Sequence, residues 1–523
     1  MSQDSVQIEV NAQSGAQGSE PLRDQTDAHE RPTRKLRPVT LLAVGLLGLV
    51  ACVIASTGPV RAAVQIGGDE LFEVTKAFLV AKGHALYTEV YNDVPPLHTY
   101  FLAGLFRLFG PTIGVGRALA VAFGVLLLGG CFALVRRRCG LFAAIVASIA
   151  LLLAPEVAVL SVSVMLEVPA IAVALWALWP VYRFRDTLRW PLLVLSGTVL
   201  ALAFQIKFTA VVVAPALAVE VLLTASERDR KGAFARGARN LAIWGSSFAL
   251  AFVVVGSLLG ETYDLLWASQ FSGQTKAVLE ETGSHGFTIA VLFQHPEALW
   301  AAGVGILIVV LRRDWRRLAF PLAMLLTALG LHLTHRPWWS FYYLHFAVPF
   351  AWLSGYGVAE LLRAGRATAD GGVTIFGRLG NRLAASLLMA LLLFNGGWRL
   401  NSVIERIQEL PRVQDSVLIA KMKENGARTK WVYTRGDIHV FHAGLKVIPE
   451  VAVVPAKRIW SGRITDDQIL KIVQRYQPEQ MVLDMSRPDM DAELKKVAAE
   501  QYAPVCEEQG RQLYVLKELL AGK

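Results

Sequence analysis

Apolar residues fill the first ~400 positions in long blocks instead of alternating with polar ones, for example at 39–56, 143–153 and 298–311. A bilayer core of about 30 Å takes roughly 20 apolar residues in a helix. The blocks therefore predict spans at about 39–58, 112–134, 141–156, 160–182, 241–259, 298–311, 318–333, 341–361 and 384–398. The block at 191–224 is too long for one span and is interrupted by Gln205 and Lys207. Split there it forms two short spans, for roughly eleven in all.

Short basic loops lie between the blocks: 34–37, 136–138, 183–189, 228–239, 312–317 and 363–382. Basic loops stay in the cytoplasm, which puts the N-terminus inside and 61–110, 261–297 and 335–339 outside. Splitting the long block at Lys207 keeps both of its flanking loops inside and moves Lys207 to the outer end. The polar first 37 residues read as a disordered cytoplasmic tail, followed by a transmembrane domain at 38–400 whose first extracytoplasmic loop is 59–110.

The pattern changes after position 400. "KWVYT" and "MVLDM" read as short buried strands, while "TDDQILKIVQRY" and "DAELKKVAAEQY" carry apolar residues at helical spacing. Strands alternating with helices predict a small α/β domain at 401–523, outside the membrane. The fold class expected is an α-helical polytopic membrane protein with this C-terminal α/β extracytoplasmic domain.

Two helices are expected in the first loop. In "DELFEVTKAFLVAKG" one face holds Leu71, Val74, Phe78 and Leu79, and in "PPLHTYFLAGLFRLFG" one side holds Leu97, Phe101, Leu105 and Leu108. Both are predicted to lie on the outer membrane surface with the apolar face down.

Composition agrees with a membrane protein. Of 523 residues 54% are hydrophobic and 18% charged, with mean hydropathy +0.43; a soluble chain carries about 25% charged residues. The formal charge of +10 is accounted for by the basic loops, so no nucleic-acid partner is expected. Cys52, Cys131, Cys139 and Cys506 form neither a disulfide framework nor a CxxC metal site. His439 and His442 have no further ligand near them in sequence and are read as structural.

The candidate chemistry is carried by ionisable residues at the outer ends of apolar segments. Asp69 either caps the first helix of the loop or acts catalytically. A carboxylate at the mouth of an apolar span is costly and points to function or a buried partner, which singles out Glu167 in "SVSVMLEVPA". Lys207 in "LAFQIKFTAV" carries the same argument and is a cation suited to phosphate. His335 and Arg336 form a second phosphate-contact candidate. Asp69, Asp93, Glu167, Lys207 and Arg336 all fall on the outer side in this topology.

"GGDE" followed by "YNDVPPLHTYF" resembles the first-loop pattern of protein O-mannosyltransferases and of bacterial lipid A aminoarabinose and galacturonic acid transferases, of the GT-C class of polytopic glycosyltransferases. "MLEVPA", "QIKFTA" and the turn before "SFYYLHFAVPF" resemble later elements of that pattern, in order. Val94 stands where a His or Lys is usual, with His98 and Asp93 at hand as substitutes. The resemblance implies transfer of a sugar from a polyprenyl-phosphate donor to a lipid, glycan or protein acceptor, in a bacterial inner membrane with the C-terminal domain in the periplasm.

The resemblance also implies site roles. Asp69 is the base, with Glu70 or Glu167 aligning it. Lys207, His335, Arg336, Tyr342 and Tyr343 meet the donor phosphate, and Asp93, Pro95, Pro96 and His98 form a substrate-binding loop. A divalent cation (Mg, Mn or Zn) on Asp69 and Glu167 is left open. No G-x-x-x-x-G-K-[ST] loop occurs, in keeping with a lipid-linked energy source. Two rivals remain, a transporter or lipid flippase and an inactive lipid-phosphate-binding scaffold.

Overall fold

A computed structural model describes residues 59–226, 232–260, 286–335, 337–366, 376–487 and 490–521. The expected disordered tail, the span at 39–58, Arg336 and most of the loop at 261–297 lie outside the described residues.

The first loop folds into α1 (Glu70–Ala81) and α2 (Leu97–Phe109), and α3 (Ile113–Cys139) follows. Along its length of about 40 Å, α3 joins the loop at one end to Arg136–Arg138 at the other. Next come α4 (Leu141–Leu152), α5 (Pro155–Val162), α6 (Glu167–Trp176), α7 (Leu178–Thr187) and α8 (Pro191–Phe204). Residues 205–207 break the chain before a 3-10 turn and α9 (Ala214–Ser226), so the long block does split at Lys207. The remaining apolar helices are α10 (Ala233–Leu258), α11 (Pro296–Arg312), α12 (Ala319–Thr334), α13 (Leu344–Arg366) and α14 (Gly377–Gln408).

Among the described residues, four helices are long and apolar enough to cross a membrane, or five if α4 and α5, bent by 72°, form one span. That is fewer than the eleven expected from the apolar blocks. Blocks that read as single spans fold as consecutive short helices: the one at 160–182 covers the end of α5, an extended stretch at Ser163, and α6 with the start of α7. Small residues let helices meet closely. A Cβ on Gly355 of α13 would collide with the Ala143 carbonyl oxygen of α4.

The basic loops meet at the far end of α3. Arg138 donates to the Arg316 carbonyl (2.7 Å), Arg317 to the Arg138 carbonyl (2.6 Å) and Arg363 to the Cys139 carbonyl (2.8 Å). Segments read separately as one side of the membrane are thus hydrogen-bonded together.

The tail adds α15 (Val417–Glu424), α16 (His439–Ala443), α17 (Ala456–Trp460), α18 (Asp466–Tyr476) and α19 (Ala492–Gln501) around a four-stranded sheet. Strands β1 (Val432–Thr434), β2 (Gln480–Asp484), β3 (Tyr502–Glu508) and β4 (Arg511–Leu516) take the order β1-β2-β4-β3. β1 and β2 are parallel and the other pairs antiparallel. Helix α18 starts at a capping box of Thr465 and Gln468. Gln509 and Gly510, both at positive φ, form the tight turn of the β3–β4 hairpin.

This tail shares a core with the first loop. Phe78 of α1 and Phe106 of α2 pack on Phe441 of α16, with centroids 5.8 and 5.7 Å apart. The apolar face of α1 is therefore covered by protein and not by lipid, because the tail reaches it first; Val74, Phe78 and Leu79 are all buried. Helix α2 keeps Phe101, Leu108 and Phe109 exposed, the apolar side expected to face a membrane surface. A strap reinforces the union: Val413 N–H donates to the Ala62 carbonyl (2.7 Å) and Val64 N–H to the Pro411 carbonyl (2.8 Å). Asp437 holds His439, and His442 Nε2 donates to the Val64 carbonyl (2.8 Å).

A buried ion pair joins the loop to α3. Glu70 is fully buried and takes two hydrogen bonds from Arg117, Nε–Oε1 2.9 Å and Nη2–Oε2 2.8 Å. The same carboxylate accepts from Ile66 N–H (2.8 Å) and Val164 N–H (3.0 Å), while Arg117 donates to the Val60 and Ala63 carbonyls. Removing one partner of such a pair strands a buried charge at a cost of about 3–5 kcal/mol. Arg117→Ala is expected to lower the melting temperature in detergent sharply, and Glu70→Met with Arg117→Met to recover part of the loss, both read by tryptophan fluorescence.

Candidate active site

A cavity of about 940 Å³ opens at the loop end of the helices. Its polar wall takes Asp69, Glu73 and Lys76 from α1 and its start, Asp93 and Pro95 from the loop before α2, Glu167 from α6 and Lys207 from the break after α8. His335, Trp339, Phe341 and Tyr342 come from the turn between α12 and α13. Phe204, Phe208, Val211, Phe248, Phe252 and Leu331 make an apolar wall beside them. Val453, Pro455, Ala456, Lys457 and Trp460 of the tail also line it.

Asp69 sits at the N-cap position of α1, yet its side chain makes no capping hydrogen bond. The carboxylate is left to the cavity. Burial pushes it above its ordinary 3.8; Lys207 pulls it down, and Glu167 and Asp93 add to the rise.

Glu167 is fully buried at the first position of α6 and pairs with Lys207 through Oε1. Its Oε2 is buried without a hydrogen-bond partner. Lys207 also lies over the Phe341 ring, 5.1 Å from the centroid. The proline pair is fastened to the same region: Leu97 N–H, the first of α2, donates to the Gln205 carbonyl at 3.0 Å. Lys76 is buried and bonds Glu73 Oε1 (2.7 Å) and Asn92 Oδ1 (3.0 Å), while Asn92 Nδ2 donates to the Val94 carbonyl (2.7 Å).

Not every candidate reaches the cavity. Glu70 is turned away and committed to Arg117, because the strands of chain it ties together need its four acceptor positions. Tyr343 points to the other side of its turn, with its ring 4.3 Å from His295. His98 is buried near the Phe123 ring, and burial, with Lys76, pushes it down to about 3; it is neutral and outside the cavity lining. Pro96 is the N-cap of α2 and does not line the cavity. Arg336 lies outside the described residues. Burial, with Lys457 nearby, lowers His335 from its ordinary 6.5, so it offers a neutral ring N–H and not a cation.

Three lining groups were not found from sequence. Glu73 and Lys76 are spaced i, i+3 in α1 and could have been noticed as a charge pair beside an apolar face. Lys457 carries no local signal, since only the packing of the tail brings it there.

A hard dication requires several oxygen ligands. One oxygen of Glu167 is occupied by Lys207, and among the described residues no group of three or more His, Cys, Asp or Glu side chains could hold a metal ion. The donor set does not fit a metal cage, and the chemistry below is derived from the side chains alone.

The fold is that of GT-C glycosyltransferases. ArnT from Cupriavidus metallidurans bound to undecaprenyl phosphate superposes with TM-score 0.55 at 14% identity, covering 92% of this chain and 98% of that one; its apo form gives 0.56 at 13%, covering 93% and 98%. The Archaeoglobus fulgidus oligosaccharyltransferase tethered to an acceptor peptide gives 0.53 at 11%, covering 92% and 74%. The family described as dolichyl-phosphate-mannose-protein mannosyltransferase matches residues 93–255, less than half of the chain. No curated protein sequence matches.

Asn92 joins the two halves of the polar wall; its loss removes one acceptor from the Lys76 ammonium, which keeps Glu73, and one donor from the Val94 carbonyl, which keeps the Tyr87 O–H at 2.8 Å. Asn92→Ala is expected to cost about 1–2 kcal/mol, read as a fall of a few degrees in melting temperature, while Asn92→Asp retains an acceptor for Lys76 and melts closer to wild type.

Proposed function

We propose that this protein is a membrane glycosyltransferase that moves a sugar from a polyprenyl-phosphate donor to an acceptor hydroxyl or amine at the extracytoplasmic face of a bacterial inner membrane. One observation carries the reading: a single cavity pairs a wall of carboxylates and lysines with an aromatic, apolar wall. A headgroup fits the first and an isoprenoid chain the second. Structures of the same fold have been solved with undecaprenyl phosphate and with dolichol phosphate, which supports a lipid-linked donor here.

In this reaction the acceptor oxygen or nitrogen attacks the anomeric carbon of the donor sugar. The bond from that carbon to the phosphate oxygen breaks, and its electron pair leaves with the polyprenyl phosphate. The acceptor proton passes to Asp69, whose carboxylate is free of its helix. Lys207 faces the charge that develops on the phosphate. Glu167 holds Lys207 in place, and Tyr342 and His335 offer further O–H and N–H donors. Asp93 and Pro95 border the headgroup. The N-terminus lies in the cytoplasm and the tail in the periplasm, as the basic loops argue. Against a carrier, the ionisable groups gather at one end of the helices, whereas a transporter holds them near the midplane.

Purified wild type and Asp69→Asn are compared for release of polyprenyl phosphate from a panel of polyprenyl-phosphate sugars, with a crude outer-leaflet extract as acceptor. Wild type is expected to release it and Asp69→Asn to lose on the order of 10²–10⁴-fold while still binding donor. Binding without release by wild type on every donor would instead favour the scaffold or flippase reading.

A base works only when ionised, and burial raises Asp69. The acid limb of kcat/KM is therefore expected above the ordinary carboxylate range, with activity falling as pH drops through the raised value. A Lys207→Met variant loses the cation that pulls Asp69 down, and the residual activity should show that limb at still higher pH. An acid limb at the ordinary carboxylate value in wild type would contradict the assignment of Asp69 as base.

A further inference from the structure

The polar wall of the cavity holds three lysines from three parts of the chain, and they are not equivalent. Lys76 is engaged by Glu73 and Asn92, and Lys207 by Glu167. Lys457 lines the same cavity but forms no ion pair with a described residue. The charges that act on it belong to the site: Asp93, Lys207 and Asp69.

Its position is held by a device of its own. The next residue, Arg458, donates to the Glu450 carbonyl (2.9 Å) and the Val453 carbonyl (2.7 Å), which fixes the turn leading into α17. The same guanidinium lies over the Tyr91 ring, 4.3 Å from its centroid. Tyr91 precedes Asp93 by two residues. One side chain therefore clamps the segment carrying Lys457 against the loop carrying Asp93, and both residues line the cavity.

We propose that Lys457, supplied by the C-terminal α/β region, is a direct ligand of the phosphate of the polyprenyl-phosphate donor and of the polyprenyl phosphate that leaves. This rests on the transferase reading above and deepens it. A phosphate placed close to Asp69, Asp93 and Glu167 needs a cation that is not already committed to a carboxylate. Lys76 is paired with Glu73 and Lys207 with Glu167, while Lys457 has no ion pair among the described residues, so it is the lysine of this wall left to meet the phosphate. Val453, Pro455 and Trp460 line the cavity with it, and its ammonium is a compact point charge on a flexible stem. Burial pulls that ammonium below its ordinary 10.5, and an arriving anion reverses the effect. The role of the tail follows: it completes the donor site, and a chain lacking it has a lipid groove with an unbalanced headgroup pocket.

The test measures binding of undecaprenyl phosphate and of undecaprenol to the full-length protein in nanodiscs, with melting temperature as the folding control. Lys457→Gln is expected to weaken undecaprenyl phosphate binding at least tenfold, leave undecaprenol within twofold, and be rescued to within about threefold by Lys457→Arg. Lys457→Met, which keeps most of the apolar stem and removes the charge, replaces Lys457→Gln if the latter melts early. Retention of undecaprenyl phosphate affinity within twofold in these variants overturns the assignment of Lys457 alone. Equal weakening of both lipids also overturns it, since that marks lost packing. If wild type itself fails to prefer the phosphorylated lipid, the donor-site reading falls together with this one.

Discussion

The site depends on one buried carboxylate that does not itself face it. Glu70 is adjacent in sequence to Asp69, and through Val164 N–H it holds the stretch three residues before Glu167. Its bidentate partner Arg117 fastens both to α3 and to the chain entering the loop. Two acidic groups from distant segments are thereby aimed into one cavity. A buried charge pair is weak evidence for stability, because desolvation offsets much of the attraction. Its value here is geometric: every remaining acceptor position of Glu70 is satisfied by a backbone N–H whose position matters to the site.

The Glu167–Lys207 pair works under the same constraint at the edge of the apolar wall. Burying either ion alone there is costly, and each offsets the other. Because one is at the start of α6 and the other in the break after α8, their pairing also explains why two apolar blocks end where they do. The break gives up helical hydrogen bonds between 204 and 208, and the Gln205 carbonyl recovers one by accepting from Leu97 at the start of α2. The proline pair, with Pro96 at the N-cap, leads into that helix without N–H groups that need partners. Thus the polar interruption of a span, the proline pair and the acidic loop are one assembly.

The tail belongs to that assembly as well. The α/β region was legible from "KWVYT", "MVLDM" and the capping pattern at Thr465, all of which rest on local hydrogen bonding and periodicity. The β3–β4 hairpin was not anticipated, because its strands lack a clean alternation and its turn is marked only by Gln509-Gly510. The apolar face of α1 was legible too, but amphipathicity says that a face is covered without saying by what. Lipid and Phe441 satisfy Leu79 or Phe78 equally well in one dimension.

What the sequence determined by itself is what depends on neighbours along the chain. Apolar blocks, basic loops, the break at Lys207, the helices of the first loop and the candidates Asp69, Asp93, Glu167 and Lys207 were all readable from period, charge and the cost of burying an ion. Only the tertiary structure decided which carboxylate serves as a fastener and which faces the cavity, since Asp69 and Glu70 differ by one position and point in different directions on a helix turning about 100° per residue. It also decided that His98 and Tyr343 point away, and that Lys457, some 250 residues beyond Lys207, lines the same cavity. No local pattern encodes such a meeting, because it is produced by the shared core between loop and tail and not by either segment alone.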